Sequence, residues 1–118
     1  TPPPPLGTLA RSVAWRLPEN LGRKYARISG DYNPIHLSAL TARPFGFRRA
    51  IIHGMWTKAR CLAQLDLRAP CEIAVHFLRP ASLPSAVYFN ADQDGRFEVI
   101  SARSSKRLLV GEARAPEE

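Results

Sequence analysis

The sequence predicts an α+β domain in which an antiparallel sheet wraps one central helix. Three observations lead there. Residues 54–67 carry apolar side chains at helical spacing, four alternating apolar segments follow, and an earlier strand pattern near the start is available to pair with them. The 118 residues leave room for a single core and not for two.

Taken in order, residues 1–5 are Thr1 and four prolines, a semi-rigid extended run that reads as a linker or as the cut edge of something longer. The remaining 6–118 read as one domain. Residues 6–17 alternate loosely, with Val13 and Trp15 on one side, as a first strand does. Pro18-Glu19-Asn20 resembles a helix entrance. Leu21, Tyr25 and Ile28 then form a short amphipathic stripe that stops at Gly30, and Tyr25 reads as core. Asn33-Pro34 forbids a continuing helix, because proline lacks an N–H and disfavours αR before it. Ser38 can cap a turn or two that Pro44 ends. Phe45-Gly46-Phe47 is irregular, and its two aromatics are expected to cover the next helix or line a pocket.

In the central helix, Met55, Ala59, Leu62 and Leu65 or Asp66 follow the three-to-four spacing of an inward face. Ala59 and Cys61 are small and would let strands lie close. The segments 71–78, 83–91, 96–102 and 107–113 read as strands, and Asp94-Gly95 marks a hairpin between the second and third of them.

Composition narrows the partners. A hydrophobic content of 45% with 23% charged residues is ordinary for a soluble globular protein, and no apolar run approaches the ~20 residues that span a bilayer. The expectation is therefore a cytoplasmic protein. Cys61 and Cys71 read as two buried free thiols of a reducing compartment. The net charge of +7 invites an acidic partner. Arg and Lys are scattered, however, with Arg23-Lys24, Arg48-Arg49 and Lys106-Arg107 the densest groups. A solvated surface comes first, then a phosphate-bearing ligand or an acidic carrier protein, and nucleic acid last.

The chemistry concentrates between Asp31 and Gly54. Asp31 and His36 lie on a proline-bent, non-helical segment where both can face one spot, and a carboxylate with an imidazole moves protons at neutral pH. Either could instead serve only the loop, Asp31 accepting backbone N–H groups and His36 bonding a carbonyl. Asn33 reads first as a turn residue, with an orienting bond to the pair or to a substrate as the alternative. Gly54 opens a helix, where bare N–H groups can hold an oxyanion. His53 reads as structural at the helix entrance and His76 as a face histidine. The histidines and cysteines lack zinc-site spacing, so no metal is implied, and dinucleotide, phosphate-loop and nucleophile-elbow fingerprints are missing. Addition of water across an α,β-unsaturated thioester suits such a set without a nucleophile or cofactor.

The string Tyr25-Ala26-Arg27-Ile28-Ser29-Gly30-Asp31-Tyr32-Asn33-Pro34-Ile35-His36, followed by Ala42, Gly46-Phe47 and Ile52-His53-Gly54-Met55, resembles the MaoC-like (R)-specific enoyl-CoA hydratases. The resemblance implies a hotdog fold, with 54–67 as its central helix. It also implies that Asp31 and His36 activate a water, that the Gly54 N–H polarises the thioester carbonyl, and that the product is an (R)-3-hydroxyacyl thioester of fatty acid metabolism. Coenzyme A would be part of the substrate, and no separate cofactor is needed. The same chemistry on acyl carrier protein fits the positive charge, and a non-catalytic acyl-binding hotdog module is the alternative from another class. The likeness is closest to the motif-bearing half of double-hotdog chains, so a homodimer or pairing with a second hotdog unit is expected. Where many hydratases of this family carry a small polar residue a turn or two into the central helix, this chain has Cys61-Leu62.

Overall fold

The computed structural model describes residues 5–65, 67 and 70–114, which leaves most of the expected linker, residues 1–4, outside the described residues. Strand β1 (Leu9–Leu17) leads into helix α1 (Leu21–Ser29), and a bent segment then carries the short helix α2 (Ala39–Ala42). Helix α3 (Gly54–Leu65) follows. Strands β2 (Glu72–Phe77), β3 (Ser85–Asp92), β4 (Arg96–Ser101) and β5 (Arg107–Arg114) complete the chain. The five strands form one sheet in the order β1-β3-β4-β5-β2, with every neighbouring pair antiparallel. Both α+β class and strand positions agree with the sequence pattern.

The core lies between α3 and the sheet. Phe89, Phe97, Val87, Val99 and Leu109 are fully buried on the inner face, together with Cys61 of α3. Trp15 of β1 stacks on Phe89 at 5.2 Å between ring centres, and the Arg60 guanidinium of α3 sits 4.5 Å over the Trp15 ring. That cation–π contact ties helix to sheet. Burial drives the Cys61 thiol up to about 12, a little offset by the nearby Arg60 charge.

Each helix meets the core along part of its expected stripe, Leu21 of α1 and Leu65 of α3 packing against it half-buried, but the rest of each stripe is displaced. In α1, Ile28 is 82% exposed, and the fully buried residues are Gly22 and Ala26, four apart. In α3, Met55 and Ala59 face outward, whereas Thr57 and Cys61 are buried. A helix pressed closely against a neighbour buries its small residues, because a large side chain would hold it off. Phe45 is exposed and does not cover α3; Phe47, half-buried, lines a cleft. Cys71 is half-buried rather than buried, and both cysteines are free.

The β3–β4 turn is organised by the buried carboxylate of Asp92. It accepts the backbone N–H groups of Asp94 (2.9 Å), Arg96 (3.0 Å) and Gly7 (3.2 Å), and it pairs with Arg96 Nε at 3.1 Å. Burial alone would raise this carboxyl, but those donors and the Arg96 charge outweigh it and hold it below its ordinary value. A depressed folded value means that the Asp92 contribution is complete above the unfolded carboxylate value and is lost as pH falls through the folded one. Asp92→Asn should therefore lower stability at pH 7 by about 1–3 kcal/mol and flatten the acid limb of a melting-temperature profile. An unchanged acid limb would contradict this role.

Candidate active site

The loop that carries the site is built from two successive side-chain turns. Gly30, in the left-handed conformation at φ 79°, ends α1 and returns its N–H to Ala26 O at 2.8 Å. Asp31 Oδ1 then accepts the Asn33 N–H (3.1 Å), and Asn33 Oδ1 accepts the Ile35 N–H (3.2 Å), which starts a 3-10 turn over Pro34–His36. Asn33 is thus spent on capping this turn. Behind it, Ser38 and Thr41 form a reciprocal capping box, and the Thr41 hydroxyl also donates to Pro34 O at 2.8 Å. Helix α1 closes the other side through Gly22. A Cβ there would stand 1.8 Å from the His36 carbonyl oxygen, so only glycine admits this approach.

These turns place Asp31 and His36 together. Asp31 Oδ2 lies 3.8 Å from His36 Nε2, the carboxylate half-exposed and the imidazole buried. The gap is too long for a direct hydrogen bond, but one water can stand ~2.8 Å from both atoms. His36 Nδ1 is 2.7 Å from Ile51 O. A carbonyl only accepts, so Nδ1 carries a proton, and in the neutral ring the lone pair left on Nε2 faces the carboxylate. That is the tautomer of a general base.

His53 belongs to the same assembly, a role that its reading as a structural entrance residue did not include. Its ring stacks on His36 at 3.7 Å between centres, and Tyr25 packs edge-on against it at 4.9 Å. His53 Nε2 donates to Asp31 O at 2.8 Å, which fixes the backbone of the carboxylate residue. Its buried Nδ1 has no partner among the described residues, as suits an unprotonated nitrogen. Donor atoms of Asp31, His36 and His53 lie within 4.8 Å of one another, close enough to accept a divalent ion, although His53 would have to surrender its bond to Asp31. Sequence spacing gave no sign of this trio, since its members come from two segments.

His36 opens onto a cavity of about 340 Å³ whose other walls include Gly54, Thr57, Ile52, Phe77 and Leu109. Gly54 is the first residue of α3, and among the described residues its N–H donates to no backbone carbonyl. The Phe77 ring lies against it, so an added Cβ would meet ring carbons at 3.0–3.3 Å. Thr57 was missed. It is the small polar residue one turn into α3, buried and on the cavity wall, while Cys61 sits deeper in the core. Its position four residues after His53 was the available signal.

Residues 5–117 match the family described as MaoC like domain. The chain belongs to the MaoC-like dehydratase family. It is 38% identical over 87 residues to 3-hydroxyacyl-thioester dehydratase X of Mycobacterium tuberculosis, which covers 71% of this chain and 31% of that protein. It is 29% identical over 88 residues to the mitochondrial 3-hydroxyacyl-[acyl-carrier-protein] dehydratase of Arabidopsis thaliana, covering 75% of this chain and 52% of that one. The unliganded R-hydratase of Pseudomonas aeruginosa superposes with a TM-score of 0.71 at 27% identity, over 97% of this chain and 83% of the other. The MaoC-like domain thus has the hotdog fold, and it spans about a third and a half of the two curated relatives. Among the described residues no helix is long and apolar enough to cross a membrane.

Gly22→Ala tests how the MaoC-like domain holds this loop. Helix propensity alone would make the substitution stabilising by ~0.5–1 kcal/mol. The clash with the His36 carbonyl should instead destabilise by roughly 2–3 kcal/mol. Denaturant unfolding gives the sign, and a stabilised variant would mean that α1 can withdraw from the loop freely.

Proposed function

We propose that the domain catalyses the reversible addition of water to a trans-2-enoyl thioester, giving an (R)-3-hydroxyacyl thioester. The observation that carries this reading is the placement of His36. Its Nδ1–H is committed to Ile51 O, and its free Nε2 faces the Asp31 carboxylate at 3.8 Å on the wall of a cavity. In the hydration direction, a water between the two gives its proton to His36 Nε2 while its oxygen bonds to C3. Asp31 orients that water and offsets the imidazolium charge. The electron pair of the double bond moves toward the thioester carbonyl, and the proton taken up at His36 Nε2 is then delivered to C2, which restores the neutral imidazole. The Gly54 N–H, backed by the α3 dipole, meets the charge that develops on the carbonyl oxygen, an effect worth ~3–4 kcal/mol for such a donor. Thr57 and the cavity's apolar walls exclude other water.

Coenzyme A thioesters are the substrate class we infer first, with acyl carrier protein thioesters second, favoured by the net charge of +7 and by the relative named for them. Edge strand β2 leaves Phe77 and Leu78 exposed beside the cavity, and a second hotdog unit, from another copy or a fused half, would cover them. An intact Asp31–His36 pair favours catalysis over a binding-only module. Asn33 would act on the substrate only through the turn it caps.

Asp31→Asn and His36→Ala should each cut the hydration rate of trans-2-butenoyl-CoA by roughly 10²–10⁴-fold with native circular dichroism. The double variant should be hardly slower than either single, as residues that act as one unit are non-additive. Full activity in either single variant would overturn the assignment.

A further inference from the structure

Phe77 takes no part in the reaction steps above, yet its ring stands against the residue that would hold the thioester oxygen. The space a side chain at position 54 would occupy is bounded first by three carbons of that ring, Cε1 at 3.0 Å and Cδ1 and Cζ at 3.3 Å. Phe77 ends edge strand β2, opposite Leu109, and alternation puts it on the inner side with Ile73 and Val75. Those two pack against the core, whereas Phe77 remains 53% exposed. A ring so placed adds little to the core. What it does is wall one side of the cavity that His36 and Gly54 share.

Hydration restricts where the first carbons of a substrate can lie. The thioester oxygen would sit ~2.9 Å from the Gly54 nitrogen, and C3 would face the water between Asp31 and His36. C2 is bonded to both the carbonyl carbon and C3, so it spans the gap from Gly54 to the dyad. A hydrogen on C2 needs no further room. A methyl group there reaches the wall beside Gly54, which the Phe77 ring already fills.

We propose that Phe77 is a specificity-determining residue, which admits enoyl thioesters unbranched at C2 and rejects those that carry a methyl group there. The placement of the carbonyl rests on the thioester reading above, whereas the contact between Phe77 and Gly54 stands without it. A ring already in contact makes way for a methyl group only by leaving its rotamer or shifting its strand. Discrimination of one such group amounts to roughly 10–200-fold in kcat/KM.

The test compares the wild type with Phe77→Leu and Phe77→Ala. The readout is kcat/KM for trans-2-methyl-2-butenoyl-CoA divided by that for trans-2-butenoyl-CoA, a ratio that does not depend on how much of each protein is folded. The methyl group also slows hydration chemically, so the change in this ratio between proteins is what counts. It should rise roughly tenfold or more from wild type to Phe77→Ala, with Phe77→Leu in between. The corresponding ratio for trans-2-hexenoyl-CoA, which is lengthened at its tail and not at C2, should stay unchanged. A methyl-ester ratio that does not move would overturn the proposal, and so would an equal rise for the hexenoyl ester, which would place the ring at the tail. Urea unfolding reads the contact without activity. Gly54→Ala should shift the midpoint less favourably with the Phe77 ring present than in the Phe77→Ala background, because ring carbons are what the new Cβ meets. Equal shifts in the two backgrounds would remove the contact and the proposal with it. Unequal shifts in a protein that hydrates none of the three esters would keep the contact, sink the hydratase reading and take the selectivity with it.

Discussion

The site depends on the backbone of one residue. Ile51 accepts the His36 Nδ1–H at its carbonyl and donates its own N–H to Ile35 O at 2.9 Å, so a single peptide strand grips the loop at two points. Its neighbours grip the other side: Ile52 N–H donates to Ala81 O at 2.9 Å, and Leu83 N–H to Ala50 O at 2.8 Å. The segment 50–52 is therefore a splint between the loop of Asp31 and His36 and the stretch leading into β3. Its geometry sets the His36 tautomer, because the Ile51 carbonyl can only be satisfied by a protonated Nδ1. No side-chain identity at position 51 is needed for this, which is why the bond could not be foreseen from the residue itself.

The two stacked imidazoles extend the same logic. His36 holds its proton on Nδ1 and His53 holds its own on Nε2, each fixed by a backbone carbonyl of the opposite segment. One nitrogen of the pair is left facing the carboxylate, and it is the one on the cavity wall. Tyr25 supports the outer ring edge-on and so keeps the stack from sliding.

Local chemistry was legible in the sequence where a residue acts on its own neighbourhood. Gly30 stops α1, Asn33-Pro34 breaks the helix, Ser38 caps the next one, and Asp94-Gly95 turns the hairpin, each by a mechanism within a few residues. The strands followed from alternation because one face of each is buried. Helix faces were less legible. Apolar spacing found Leu21 and Leu65, which pack against the core, but also favoured Ile28, Met55 and Ala59, which are exposed; Gly22, Ala26 and Thr57 are buried beside Cys61 instead, because closeness of approach selects small side chains and hydrophobicity does not report it. Of the site, the Asp31–His36 pair and Gly54 lie within one stretch and could be named in advance. His53, Thr57 and Tyr25 join through tertiary packing. Arg48, Arg79 and Arg103 look scattered along the chain for the same reason, since the fold alone brings them to the rim of one cleft.

The placement of Cys61 has a consequence for handling and for oxidative stress. A thiol pushed up to about 12 stays protonated at neutral pH, and with no solvent-exposed surface it is shielded from peroxide and alkylating reagents. Cys71, half-buried at the approach to β2, is the thiol within reach. Since it lines neither the cavity beside His36 nor the cleft lined by Phe47, a label or an oxidised sulfur there would mark the domain without entering either one. The fold thus leaves one addressable thiol and keeps the other one sealed in the core.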